Sequence, residues 1–409
     1  MGVGVRVVIV GAGIGGLATA LELHRVGIPA TLLEQGDAHG ETGVGFNLLP
    51  HCVRVLARLG LLDGLDALSV RTTSLTYAHR LGMPIVQRPC GLAAGFDLPQ
   101  FSAHRGRFQR LLLDAVRERL GTDAVRTGAQ VTAVDPAGAV TLASGEVVHG
   151  DVVVGADGIH SVVRAALAPG EGPPRWNGVS MWRGAVDWPV FDGGAAMVIA
   201  GGTAAKLVVY PIAPGTRPGT MLTNWAICIA TGRDGDPPPH RQDWSRPGDP
   251  AVVVEHARRF RLDAVDHHAL VAATPTSYEF PMCDRDPLQR WTHGRVTLLG
   301  DAAHPMYPMG SNGAGQAILD AESLAQHLAA ADPDTALASY EAERLPVTAD
   351  VVRRNRLGGP EGVIDEVERR APEGFDRLDD VIPATELDAM LAAYAAATGA
   401  TPQQVREGA

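Results

Sequence analysis

Val7-Val8-Ile9-Val10-Gly11-Ala12-Gly13-Ile14-Gly15-Gly16 stands close to the start of the chain and decides its fold. Val7 to Val10 read as a fully buried parallel strand, and Ile14, Leu17, Ala18 and Leu21 recur at helical spacing beyond the glycines. The glycines therefore occupy a strand-to-helix turn. Gly11 permits the tight bend, Gly13 lets the backbone approach a pyrophosphate, and Gly16 lets helix and strand pack closely. Free N–H groups at the helix N-terminus receive the negative charge. The next strand, Ala30 to Leu33, ends at Glu34, at the spacing expected of a carboxylate on a ribose hydroxyl, and an acid there repels a 2′-phosphate. This unit implies FAD or NAD, and the first strand alone does not choose between them.

Composition narrows the alternatives. With 409 residues the chain is long enough for two or three domains around substantial cores. A formal net charge of −11 without a basic stripe argues against nucleic acid as a partner. Lys206 is the only lysine, so arginine supplies nearly all the positive charge. Cys52, Cys90, Cys228 and Cys283 are scattered without a CxxC pair, which predicts buried free thiols and neither a metal site nor a disulfide framework. No uninterrupted apolar segment is long enough to cross a bilayer. The apolar N-terminus is broken by the glycine turn and runs on into a helix, unlike a signal peptide, so a cytoplasmic protein is expected.

Further along, Pro50 to Leu59 and Phe108 to Leu120 predict helices, and residues 73–88 predict strands joined at Leu81-Gly82. Val147 to Val154 form a near-continuous apolar run ending in Gly155-Ala156-Asp157-Gly158, with a helix expected near Ser161. Between Val179 and Ala230 the pattern changes to several strands separated by turns, the mark of a second domain. Arg233 to Pro250 is rich in proline, aspartate and glycine, as an exposed connection is, and helical periodicity returns near Val252. A last buried strand, Arg295 to Leu299, leads to Gly300-Asp301 and a long helix from about Gly315 to Ala330. The charged, alanine-rich tail beyond Gly358 is expected to be helical.

Three turns of one kind thus occur in one chain: the glycine fingerprint, Asp157-Gly158 with Ser161 and Arg164 behind it, and Gly300-Asp301-Ala302-Ala303-His304-Pro305. In each, a buried strand delivers small residues to a helix or loop start, where open α/β sheets collect ligands. With His104-Arg105 and the helix after it, these turns resemble the group A flavoprotein monooxygenases, the family of hydroxybenzoate and salicylate hydroxylases, from Val5 to about Val351. Met181-Trp182-Arg183-Gly184, Tyr210-Pro211-Ile212, Asn224-Trp225, Pro281-Met282 with Asp284-Arg285-Asp286-Pro287-Leu288, and Met306-Tyr307-Pro308-Met309-Gly310-Ser311-Asn312-Gly313 resemble its phenazine-carboxylate branch.

The resemblance implies an α/β fold: a Rossmann-like FAD-binding domain (1–72, 100–175 and 276–350) interleaved with a mixed β-sheet substrate domain (73–99 and 176–275), plus a C-terminal helical tail (351–409). It implies that Asp301, after Gly300, accepts hydrogen bonds from the FAD ribityl chain and that Arg105 reaches the pyrophosphate side. The turn through Gly310, Asn312, Gly313 and Ala314 would lie at the flavin pyrimidine ring, with backbone N–H groups where negative charge builds. Pro308 and Gly43, Val44 and Gly45 would line the isoalloxazine. Asp157 and Gly158 resemble a motif serving both FAD and the nicotinamide cofactor, and Val131 is assigned to the cofactor on the same likeness. Asn312 stands where hydroxybenzoate hydroxylases usually carry a further glycine. A second fingerprint is absent, so NAD(P)H is expected to visit transiently.

The implied activity is hydroxylation of an aromatic carboxylic acid, polycyclic or heteroaromatic in this branch, through a flavin C4a-hydroperoxide, with or without loss of the carboxyl group. The partners implied are a small aromatic substrate and dioxygen, in a monomer or homodimer. The flavin carries the hard step, so no catalytic side chain is assigned. His304 is expected to be structural. Arg183 is the leading substrate candidate, because a partly buried guanidinium holds a carboxylate in a bidentate pair. Met181 shares its strand face, Trp182 takes the other, and Tyr210, Asn224 and Trp225 complete the candidates. A flavin oxidase or reductase without oxygen transfer, or a non-catalytic flavin-binding protein, remains open on the sequence; a halogenase is disfavoured, since Lys206 is the only lysine and Trp182 to Pro189 lacks the tryptophan signature of those enzymes.

Overall fold

Four β-branched residues, Val7–Val10, form a strand buried along its whole length, as expected of a strand covered on both faces. The computed structural model describes residues 5–36, 44–243, 245–397 and 401–407. Val7–Val10 pairs in parallel with Ala30–Leu33 on one side and with Val152–Gly155 on the other. Val152–Gly155 pairs in parallel with Val296–Leu298, and Val125–Arg126 extends the far edge to make five strands. The register aligns Val10 with Gly155 and Gly155 with Leu298. The three strands therefore end at one level, and the three turns meet along one edge of the sheet. Gly43 lies outside the described residues.

The run Val147 to Val154 is not one strand. Val147–His149 joins Ala139–Leu142 and Val131–Asp135 in a separate antiparallel sheet, while Val152–Gly155 enters the parallel one. The break falls at Gly150, where a Cβ would lie 2.8 Å from the Val152 carbonyl oxygen and 3.3 Å from that of Arg6. Only a glycine lets the backbone cross there.

The second large sheet has seven strands in the order Ser277–Asp284, Arg175–Pro189, Thr220–Ala230, Ala205–Pro214, Ala196–Ala200, Ser74–Ala78 and Pro84–Pro89. All neighbours are antiparallel except Ala196–Ala200 with Ser74–Ala78, so the sheet is mixed. Ser277–Asp284, expected with the third FAD-binding segment, belongs here, because its edge pairs with Arg175–Pro189 from Arg175 to Gly184. One face carries Trp182, Leu207, Val209, Trp225 and Ile227 and is covered through Val253, Ala257, Leu270 and Val271 by helices Pro250–Ala257 and His267–Ala272. The other face looks towards the three turns.

Beyond Gly358 the chain is helical at Gly362–Arg370, Ala384–Ala397 and Pro402–Glu407. Val363, Ile364, Val367, Ile382, Leu387 and Leu391 pack on Ile85, Met197, Ile199, Tyr210 and Ile212. The tail is thus a wall of the second sheet. No helix among the described residues is long and apolar enough to cross a membrane, and all four cysteines are buried and free.

The third turn is held from beneath. Asp320, in helix Gly313–Ala330, accepts hydrogen bonds from His304 Nε2 at 2.6 Å, Gly300 N at 3.1 Å and Arg344 Nε at 2.8 Å. His304 is accordingly structural. Burial alone would raise the Asp320 carboxyl, but the charges and hydrogen bonds of His304 and Arg344 outweigh it and hold it at about 2. A carboxyl depressed in the folded state stabilises it above the unfolded value near 3.8, and that contribution is lost as pH falls through about 2. We expect Asp320→Asn to lower the Tm at pH 7, with the gap to wild type shrinking between about pH 4 and pH 2. Thermal melts across that range test this, and a pH-independent gap would exclude the charge as its source.

Candidate active site

Each turn owes its shape to a close approach. Gly11 has φ +102°, and a Cβ there would sit 2.5 Å from the Ala156 carbonyl oxygen, so the first two turns touch. Gly16 packs against the Gly11 carbonyl, as the fingerprint requires of its last glycine. Glu34 braces this turn: Oε2 accepts from Ala12 N and Oε1 from Gly36 N, both at 2.9 Å. Asp157 is engaged differently from expectation. Its carboxylate accepts from Ser161 Oγ and from Val162 N at 2.7 Å, capping helix Val162–Leu167, and does not line the cavity described next. Behind it, buried Arg164 donates to the carbonyls of Ala302 at 3.0 Å, Ala303 at 2.6 Å and Asp286 at 2.9 Å, and pairs with Glu171. Arg164 thereby ties the second turn to the third.

A single cavity runs from the first turn to the second sheet. Gly13, Gly158, Gly300, Asp301, Gly313 and Ala314 line one side, with Arg105, Gly45 and Pro308 further along. A Cβ on Gly13 or Gly158 would meet nothing within 4 Å, so both glycines face open space, and Gly13 does so at the uncapped start of helix Ile14–Arg25. Burial lowers the Arg105 guanidinium pKa, and the nearby Asp301 charge opposes that. Glycine turns, helix N–H groups, a cation and an acceptor carboxylate suit a dinucleotide with a pyrophosphate and a hydroxylated chain. Val131 does not line the cavity; it is buried in the antiparallel sheet opposite Leu142.

At Gly45 a Cβ would lie 2.6 Å from Ile212 and 2.8 Å from Asn224. The Gly45 N–H donates to Asn224 Oδ1 at 2.8 Å, its carbonyl accepts from Arg183, and the Val44 carbonyl accepts from Arg105 N at 3.1 Å. Asn224 therefore positions the Gly45 strand without lining the cavity. Gly310 and Ser311 are left-handed, at φ +64° and +57°. Ser311 accepts from Asn47 Nδ2 at 3.2 Å, while the Asn312 amide donates to the Gly310 carbonyl at 3.0 Å and to Tyr394 Oη at 2.9 Å.

The sheet supplies the floor. Cross-strand register places Met181 beside Cys228 and Lys206, and Arg183 beside Ala226, Val208 and Ile199; Tyr210 follows beside Asn224. Met181, Arg183 and Tyr210 line the cavity, as does Met197. Trp225 does not: alternation turns its ring to the opposite face, where Nε1 donates to Thr274 Oγ1 at 2.8 Å, so it is removed from the substrate candidates. Arg183 makes no ion pair among the described residues, and its Nε is buried without a hydrogen-bond partner. Burial disfavours its charge, with the Tyr210 hydroxyl opposing.

Asn47, Lys206 and Glu361 also line the cavity, as does Ser311 of the Met306 to Gly313 stretch, with Tyr394 behind them; Asn47, Lys206, Glu361 and Tyr394 were not among the site residues read from the sequence. Lys206 Nζ and Glu361 Oε2 form a buried ion pair on its wall. Two strands and two residues separate Lys206 from Arg183, about 12 Å between Cα atoms at ordinary sheet spacing. Lysine scarcity was the one sequence signal available for Lys206; no local pattern marks the others.

Residues 4–355 match the family model described as FAD binding domain. Phenazine 1,6-dicarboxylic acid hydroxylase PhzS of Lysobacter antibioticus is 40% identical over 363 residues, 86% of this chain and 89% of its own. 3-Hydroxybenzoate 6-hydroxylase 1 of Aquipseudomonas alcaligenes is 32% identical over 365 residues, 86% of this chain and 88% of its own. The crystal structure of Klebsiella pneumoniae HpxO complexed with FAD and uric acid shares the fold, with a TM-score of 0.74 at 23% identity over 99% of this chain and 97% of that one. With the three turns assembled on one cavity and these likenesses spanning most of the chain, the protein belongs to the FAD-binding family of group A flavoprotein aromatic monooxygenases.

Proposed function

We propose that this monooxygenase hydroxylates a fused-ring aromatic or heteroaromatic carboxylic acid whose carboxylate is held by Arg183. The observation that carries this reading is the Arg183 guanidinium, set in a largely apolar cavity with an unpartnered Nε and no acidic neighbour bonded to it. A half-buried cation in that state is stabilised by an arriving anion, and the planar fork suits a carboxylate. The flat floor of Met181, Ala226, Val208 and Ile199 beside it extends over several strands, which favours an extended ring system over a compact one. The likeness to a phenazine dicarboxylic acid hydroxylase supports the same substrate class.

Bound FAD, reduced by NAD(P)H, supplies dioxygen activation and transfer of one oxygen atom to the ring. The chain does the rest. Gly13, Gly158, Arg105 and Asp301 would hold the cofactor, with Gly45 and the Pro308 to Ala314 turn along the same cavity, and Arg183 would orient the acid. The apolar floor and the tail exclude water.

Arg183→Gln should weaken binding of the acid by roughly 10- to 200-fold, the range for a charge-assisted hydrogen bond of about 1.5–3 kcal/mol, and leave binding of the same ring without its carboxylate nearly unchanged. Equilibrium titration of both ligands into FAD-loaded protein decides this; equal losses for the two would remove Arg183 from carboxylate recognition. A second expectation concerns turnover. Anaerobic reduction by NADH or NADPH should accelerate with a phenazine or quinoline carboxylic acid more than with hydroxybenzoates. After oxygen is admitted, mass analysis should find the ring compound with an added oxygen or with hydroxyl replacing carboxyl. Hydrogen peroxide as the sole product across the panel would count against this substrate class.

A further inference from the structure

We propose that Glu361 and Tyr394, contributed by the C-terminal tail, are positioning residues that set the conformation of the Met309–Asn312 turn at the flavin end of the cavity. The turn needs support, because Gly310 and Ser311 are consecutive left-handed residues and Ser311 has a side chain that resists that conformation. The tail provides it at several points. Tyr394 Oη accepts from Asn312 Nδ2 at 2.9 Å, lies 3.3 Å from the Met309 carbonyl oxygen, and donates to Asn355 Oδ1 at 2.7 Å. Glu361 Oε1 accepts from the Gly310 N–H at 3.2 Å, and its Oε2 pairs with Lys206, whose Nζ also lies 3.3 Å from Met309 Sδ.

Space enforces the same coupling. A Cβ on Gly310 would come within 2.6 Å of Tyr394 Oη, and one on Gly359 within 2.9 Å of Met309 Cβ. The turn and the tail are therefore fitted to each other, and neither can shift alone. Ser311, Glu361 and Lys206 all border the cavity. Displacing the tail locally changes where the backbone N–H groups of this turn point, and so how well the site tolerates negative charge on a reduced flavin. The inference rests on the FAD-binding reading of the cavity and is independent of which acid is the substrate.

Tyr394→Phe tests it, since it keeps the ring and removes only the hydroxyl. Two readouts need no turnover. The first is acetylation of the FAD-loaded protein with acetic anhydride, followed by peptide mass spectrometry: Lys206 is the only lysine, so side-chain lysine labelling reports this wall alone. Tyr394→Phe should raise the Lys206 labelling rate about tenfold by making local opening easier. The second is the midpoint potential of bound FAD. A tenfold loss in preference for reduced over oxidised flavin appears as a fall of about 30 mV for a two-electron couple. Leu270→Ala, a buried truncation under the opposite sheet face, serves as a control that destabilises at least as much and should move neither readout. Glu361→Gln is used for neither readout, because it removes a charge from the cavity wall and leaves Lys206 without its carboxylate, which by itself moves the potential the other way. Unaltered labelling and potential in Tyr394→Phe, or equal changes in Leu270→Ala, would overturn the proposal. Failure of the Arg183 reading would leave both readouts intact, so the two are separable.

Discussion

Parallel pairing of three strands that lie far apart in the chain is the constraint on which the site depends. Val7–Val10, Val152–Gly155 and Val296–Leu298 are neighbours in one sheet and end in register. Parallel strands require crossovers, so the intervening segments must leave the sheet and return. Their following turns then necessarily share the carboxyl edge, where helix N-termini and glycine backbones converge. A shift in either pairing would separate Gly13, Gly158 and Asp301 and dismantle the cavity.

Buried charges hold that edge together. Arg164 bridges the second and third turns through backbone carbonyls, and Asp320 ties Gly300 to His304 and Arg344 from below. Such groups contribute little net stability compared with apolar side chains of the same volume, but removal of one partner strands the other in low dielectric. They therefore specify geometry more than they add free energy, which suits turns whose backbone must be placed against a cofactor. Half-buried Arg183 differs from Arg164 and Arg344: among the described residues it has no acidic partner, and its Nε has no hydrogen-bond partner.

The second sheet works by alternation. One face is sealed by helices over Trp182, Trp225 and Ile227; the other is the cavity floor, carrying Met181, Arg183, Lys206 and Tyr210. The tail closes the side of that floor with six buried aliphatic side chains, each worth about 1.5–3 kcal/mol on burial. A neutral hydrogen bond contributes about 0.5–1.5 kcal/mol net, less than one of those side chains, so the Tyr394 hydroxyl contacts add little to the docking of the tail.

The glycine fingerprint, the Gly-Asp turn and most helices were legible in the sequence because their signals are local: hydrophobic period, glycine spacing and strand-to-helix punctuation. The boundaries that failed were those decided by distant partners. Val147 to Val154 reads as one apolar run, yet Gly150 divides it between two sheets, and Ser277–Asp284 joins the sheet whose edge accepts it. Period-two alternation predicted that Met181 and Arg183 share a face but not which face is inward, and so could not dismiss Trp225. The capping of a helix by Asp157, the hold of Asn224 on Gly45 and the reach of Tyr394 to Asn312 join residues through the fold and leave no trace in spacing. Sequence by itself determined the fold class, the three strand-to-helix turns and the family, since local sterics, hydrophobic period and motif spacing suffice for these. Tertiary structure alone decided which side chains meet around the substrate, because hydrogen bonds and packing act between atoms that only the folded chain brings together.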